Sequence, residues 1–207
     1  MPIARYRSLS IPFFSFYATF FGEKYGGTMN YLIVPGLNNS GPKHWQSFWA
    51  KSLPNAVRVE QRSWDNPQKE EWVETLDKAI NNLTGDTIIV AHSLGVATTV
   101  LWLAKKISEG SVPAHVKGAF LVSPSDVDNI KLIGSFAPMP LVKLPVPAAV
   151  VASDNDEFVS IERSKFFADA WGASLFRAGA LGHINSDSDL KEWEQGRAFL
   201  AQFEKSL

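Results

Sequence analysis

The chain has 207 residues, 45% of them hydrophobic and 20% charged, with a formal net charge of −1 and no cysteine. That length can bury a core without disulfides or a structural metal, and the composition excludes both a disordered chain and a coiled coil. A balanced charge argues against binding nucleic acid through counterion release. The lack of cysteine excludes a thiolate nucleophile and Cys-ligated zinc or iron–sulfur sites, and it fits a reducing, cytoplasmic setting. Only four histidines occur, His44, His92, His115 and His183, which is too few to favour a polyhistidine centre. No metal and no cofactor are expected.

Residues 1–28 read differently from the rest. Ile11–Phe21 is an apolar, aromatic run preceded by Arg5 and Arg7. It is too short to span a membrane, and no small-x-small cleavage site follows it. The segment is expected to be an N-terminal extension, either packed on the domain or translated ahead of a start at Met29. No membrane partner is expected.

From Met29 onward, short apolar runs alternate with longer amphipathic ones in one domain, residues 29–207. The first expected strand, Tyr31–Val34, is followed by a helix at Trp45–Ser52. A strand at Ala56–Glu60 leads to a helix over Gln68–Asn82, where Trp72, Leu76 and Ile80 recur at helical spacing. Thr87–Ala91 precedes a helix at Gly95–Ser108. Strands at Val116–Ser123 and Ala148–Ser153 follow, then a helix at Ile161–Trp171, a strand at Ser174–Arg177 and a last helix over Leu190–Leu207. Runs such as IIVA and AAVVA are apolar on both faces, as parallel strands between two helical layers must be. The expected fold class is α/β: a doubly wound, mostly parallel six-stranded sheet with right-handed crossovers. Chemistry in such a sheet belongs at the carboxyl ends of the strands.

The third strand ends in Ala91-His92-Ser93-Leu94-Gly95 and enters a helix directly. Small residues two before and two after Ser93 suit a nucleophile elbow, in which a tight turn lifts a hydroxyl above the sheet. The competing reading is a simple helix cap, since serine is a favoured N-cap. A serine hydroxyl needs a base, and His183, in the Gly-rich loop Ala178–Asn185 after the last strand, is the candidate. The base needs a carboxylate to orient it. Asp156, in the loop after the fifth strand, is preferred, with Asp154 and then Asp126 as alternatives. An oxyanion hole needs two N–H donors; the amides of Leu94 and Leu37, the latter in the GLNNSG loop after the first strand, are expected to supply them.

The stretch Pro124–Ala148 joins two strands in 25 residues and includes Pro138, Pro140, Pro145 and Pro147. It leaves room for a short helix or a flap and for no cap domain. The site should therefore be open and shallow, lined by Leu37, Asn38, His92, Phe136, Met139 and Phe158, and suited to small acyl groups. Trp45, Trp49, Trp64 and Trp72 are expected to be packing residues, with Trp64-Asp65, a polar–aromatic pair at a strand end, as the one candidate exception.

With these residues in view, the chain resembles the α/β-hydrolase superfamily in its minimal, capless form. More narrowly it resembles the small serine hydrolases of the retinoblastoma-binding-protein-9 type and their bacterial relatives. The resemblance is carried by Pro35-Gly36 with Gly41 and His44-Trp45-Gln46, by Gln61–Trp72 (QRSWDNPQKEEW), by Ala91–Gly95 and by Gly182-His183-Ile184-Asn185. It implies a Ser93–Asp156–His183 triad and a carboxylesterase-like or amidase-like activity on a small-molecule ester or amide. The family's pocket-protein partner depends on an L-x-C-x-E motif, which a chain without cysteine lacks, so that partner is not carried over and protein partners stay open. The alternatives are a catalytically silent binding module on the same fold, or a peptidase or thioesterase.

Overall fold

The structure is a computed structural model that describes residues 29–207; the expected N-terminal extension lies outside the described residues. Six strands form a single sheet: β1 (Asn30–Val34), β2 (Ala56–Arg58), β3 (Thr87–His92), β4 (Val116–Val122), β5 (Ala148–Ala152) and β6 (Ser174–Arg177). Their order is β2-β1-β3-β4-β5-β6, and all five pairings are parallel.

The helices are α1 (Trp45–Ser52), α2 (Lys69–Asn81), α3 (Leu94–Glu109), α4 (Ile161–Trp171) and α5 (Glu194–Glu204). Because side chains alternate along a strand, the sheet feeds two separate apolar layers. Leu32, Ile89, Leu121 and Val150 face α2, α3 and α4, through Trp72, Leu76, Val100 and Phe167. Ile33, Val90, Phe120 and Val151 face α1 and α5, through Trp45, Trp49, Leu200 and Phe203. Both layers are apolar, which accounts for the runs with no polar face in β3 and β5.

Element ends differ from expectation by one or two residues at most strands. The larger difference is the last helix, which starts at Glu194 and not at Leu190. Asp189, Lys191 and Trp193 all take positive φ (45°, 51° and 42°), so this stretch cannot be helical. The connection from β4 to β5 holds two short 3₁₀ turns within Lys131–Phe136, kinked at Ile133, and no cap domain.

The chain leaves β1 toward β2 on one side and then crosses over to β3 on the other. The loops after β1 and β3 therefore diverge and leave a crevice at the carboxyl edge of the sheet, the place where doubly wound proteins bind ligands. Among the described residues, no helix is long and apolar enough to cross a membrane.

Candidate active site

Ser93 stands between β3 and α3 with φ 57° and ψ −123°, a conformation that a non-glycine residue adopts only when its surroundings impose it. Two glycines impose it. A Cβ on Gly95 would lie 2.3 Å from the Val34 carbonyl oxygen, so only glycine lets α3 start this close to β1. A Cβ on Gly36 would lie 2.8 Å from the Ser93 Cβ. The Ser93 side chain makes no capping bond to α3, which disposes of the helix-cap reading. Its hydroxyl instead meets His183 Nε2 at 2.8 Å and the Ser125 hydroxyl at 2.8 Å.

His183 Nδ1 lies 2.9 and 2.8 Å from the two Asp156 oxygens. A carboxylate only accepts, so Nδ1 carries the proton and Nε2 offers its lone pair to Ser93. The Asp156 side chain is fully buried and also accepts from the Phe158 backbone N–H at 2.9 Å. The other acids are engaged elsewhere: Asp154 pairs with Arg177 at 2.9 Å, and Asp126 pairs with Arg163 at 3.1 Å. Three strand ends thus bring Ser93, Asp156 and His183 together, and neither alternative acid joins them.

The His183 loop is tied down by side chains. His92 Nε2 donates to the His183 carbonyl at 2.9 Å, and Trp45 Nε1 donates to the Ile184 carbonyl at 2.8 Å. Ser153 Oγ accepts from the Leu181 amide at 2.9 Å, and Asn155 Oδ1 accepts from the Gly182 amide at 2.7 Å. The loops that carry the acid and the base are therefore one cross-linked unit.

On the opposite side, the amides of Leu37 and Leu94 have no acceptor among the described residues, and both residues line the cleft. Leu94 sits at the N-terminus of α3, where N–H groups lack intrahelical partners and favour negative charge. The neighbouring amide of Asn38 is taken by the Trp64 carbonyl at 2.8 Å, so Trp64 in the QRSWDNP stretch pins this loop. Arg58 adds bonds to Asn39 Oδ1 and to the Ser40 carbonyl. Gln46 Nε2 donates to the carbonyls of Val34 and Val90 at 3.2 and 3.1 Å, and its Oε1 accepts from Ser40 Oγ at 2.6 Å. His44 caps α1 by accepting the Gln46 amide on Nδ1. Burial first, then the charges of Arg58 and His183, lowers its pKa to about 3 and keeps the ring neutral.

The cleft has a volume of about 390 Å³. Leu37, Asn38 and Phe158 line it, and the Phe158 ring rests 4.6 Å from the His183 ring. Two expected lining residues do not. Phe136 is fully buried against Trp72, and Met139 is buried in the same apolar layer; the 3₁₀ turns send Ile130, Leu132 and Ile133 to the cleft in their place. His92 lines the cleft at 4% exposure, and its Nε2 is committed to the His183 carbonyl, so the ring also positions the base loop. Burial drives its pKa well below the usual value. The sequence reading passed over Ser125 altogether. Its place just past the end of β4, beside Asp126, was the available signal.

An all-parallel sheet with an elbow serine, a loop histidine and a buried aspartate meeting at its carboxyl edge defines an α/β-hydrolase. The serine hydrolase family profile matches residues 31–202, and the chain belongs to that family. It is similar to YdeN of Bacillus subtilis (strain 168), with 26% identity over 171 residues covering 77% of this chain and 88% of that protein. A solved YdeN-like protein from Pectobacterium atrosepticum is 28% identical, with a TM-score of 0.76, covering 86% of this chain and 91% of that one. Est1E of Butyrivibrio proteoclasticus, solved with ferulic acid bound, shares the fold at 13% identity and a TM-score of 0.65, covering 86% of this chain and 90% of that one.

Proposed function

We propose that the protein hydrolyses carboxylic esters of small acyl groups through an acyl-enzyme on Ser93. The unbroken chain of bonds from Asp156 through His183 to Ser93, none longer than 2.9 Å, carries this reading. Ser93 Oγ attacks the carbonyl carbon while its proton passes to His183 Nε2. The C=O electron pair moves onto the carbonyl oxygen, which the Leu37 and Leu94 amides hold. The tetrahedral species collapses by breaking the bond to the leaving group, which takes the proton from Nε2. Water then repeats the sequence and releases Ser93. Asp156 keeps His183 in the tautomer this needs and stabilises its cation.

The small-acyl preference follows from a cleft of about 390 Å³ with no cap above it among the described residues. Phe158, 41% exposed, and Leu132, 74% exposed, form an apolar rim that holds a short chain, and among the described residues no further element stands above it to enclose a long one. The test is a series of p-nitrophenyl esters from acetate to palmitate on the wild type and Ser93→Ala. Acetate and butyrate should be turned over fastest, and Ser93→Ala should lose turnover. Faster cleavage of the long-chain esters, or full activity in Ser93→Ala, is the opposing result.

A further inference from the structure

We propose that Ser125 is a second hydroxyl of the reaction centre, a catalytic residue that donates a hydrogen bond to the Ser93 oxygen. The proposal rests on the acyl-enzyme reading above, and it follows from counting protons. His183 Nδ1 holds its proton and donates it in a hydrogen bond to Asp156, so Nε2 is an acceptor and Ser93 must donate to it across 2.8 Å. Ser93 has no second proton. The 2.8 Å contact between Ser93 Oγ and Ser125 Oγ is therefore a bond in which Ser125 donates. The resting chain runs Ser125 to Ser93 to His183 to Asp156, with every donor used once.

Nothing else engages this hydroxyl. Among the described residues its one hydrogen-bond partner is Ser93. It is 3% exposed, and it opens onto the cleft from the loop after β4. This buried hydroxyl is spent on the nucleophile alone.

The bond gains strength at the two moments when Ser93 oxygen carries negative charge. The first is the attack: the Oγ–C bond forms, the Ser93 proton moves to His183 Nε2, and the Ser125 proton stays on Ser125. The second is deacylation: water has added to the carbonyl carbon, the C–Oγ bond breaks with its electron pair on Oγ, and Oγ takes its proton back from Nε2. A hydrogen bond to an anionic oxygen is stronger than one to a neutral hydroxyl. The Ser125 donor therefore stabilises both transition states more than the resting enzyme, and that difference is what accelerates a reaction. The bond also fixes the Ser93 rotamer, so that its proton points at Nε2.

The experiment compares wild type, Ser125→Ala and Ser125→Cys, the last of which keeps the volume but offers only a weak donor. Active sites are titrated with a fluorophosphonate, and kcat per titrated site and KM are read with p-nitrophenyl acetate. Both variants should fall about five- to tenfold in kcat and in the rate of Ser93 labelling, the effect of one hydrogen bond, with KM kept within about twofold. A change confined to the titrated fraction or to KM, with kcat per site at the wild-type value in whichever variant folds, overturns the role of Ser125 and leaves the acyl-enzyme intact. A wild type that takes no label on Ser93 overturns the acyl-enzyme reading, and the Ser125 role with it.

Discussion

The two halves of the site are held by different means. Ser93 is fixed by backbone sterics: a positive φ, and two glycines packed so closely that a methyl group at either would collide with the neighbouring chain. His183 is fixed by side-chain hydrogen bonds that reach it from far along the chain, from Trp45, His92, Ser153 and Asn155. Steric fixation needs only the right small residues in a short window. Fixation by side chains needs partners that no local pattern announces. The nucleophile half should therefore fail abruptly when changed, and the base half by degrees.

The largest expected effect belongs to the acid behind His183, whose loss changes the chemistry of the base and not the tethering of its loop. Asp156→Asn places an amide where His183 Nδ1 needs an acceptor of fixed orientation, and kcat should fall about 10³- to 10⁴-fold. Asp154→Asn, which breaks only the bond to Arg177 at the surface, should leave kcat within about threefold, as a surface ion pair is worth less than about 1 kcal/mol. Steady-state kinetics on the pair decide it: equal losses would mean that the acid has been assigned to the wrong residue.

Next comes the elbow. The methyl of Gly95→Ala meets the carbonyl oxygens of Val34 and Pro35 at 2.3 and 2.7 Å, and the backbone on both sides leaves little room to yield. Urea denaturation should show a loss of about 3 kcal/mol or more, with activity lost as well. A folded, active Gly95→Ala enzyme would show that sterics are not what set the turn.

The base half should respond more mildly. Trp45→Phe keeps most of the apolar contact but removes the donor to the buried Ile184 carbonyl. It should cost about 1–3 kcal/mol of stability and lower kcat, with KM little changed. Thermal melts and kinetics on the same preparation check this, and wild-type kcat in a destabilised Trp45→Phe would uncouple the tryptophan from the base loop.

The same contrast explains what could be read before the fold was known. Apolar runs on both faces identify parallel strands because the physics is local, and A-H-S-L-G after such a run identifies the elbow for the same reason. The choice of Asp156 over Asp154 and Asp126 was a preference until the arginine partners of the other two acids, Arg177 and Arg163, were in place. Phe136 was misread because a 3₁₀ turn, and not its apolar character, decides which of its neighbours faces the cleft. Ser125 carried no motif. His44-Trp45-Gln46 and the QRSWDNP stretch were visible as features of the family, yet their tasks (a cap, a tether to the base loop, clamps on the loop after β1) appear only when distant carbonyls are seen beside them.

The claim beneath all of this is that the Ser93 hydroxyl is a nucleophile activated by His183. Intact-protein and peptide mass spectrometry after treatment with a fluorophosphonate reads it most directly. The account predicts one phosphonyl adduct per chain, located on Ser93, absent in Ser93→Ala and strongly slowed in His183→Ala; folded wild-type protein with no adduct, or with one on another residue, contradicts it.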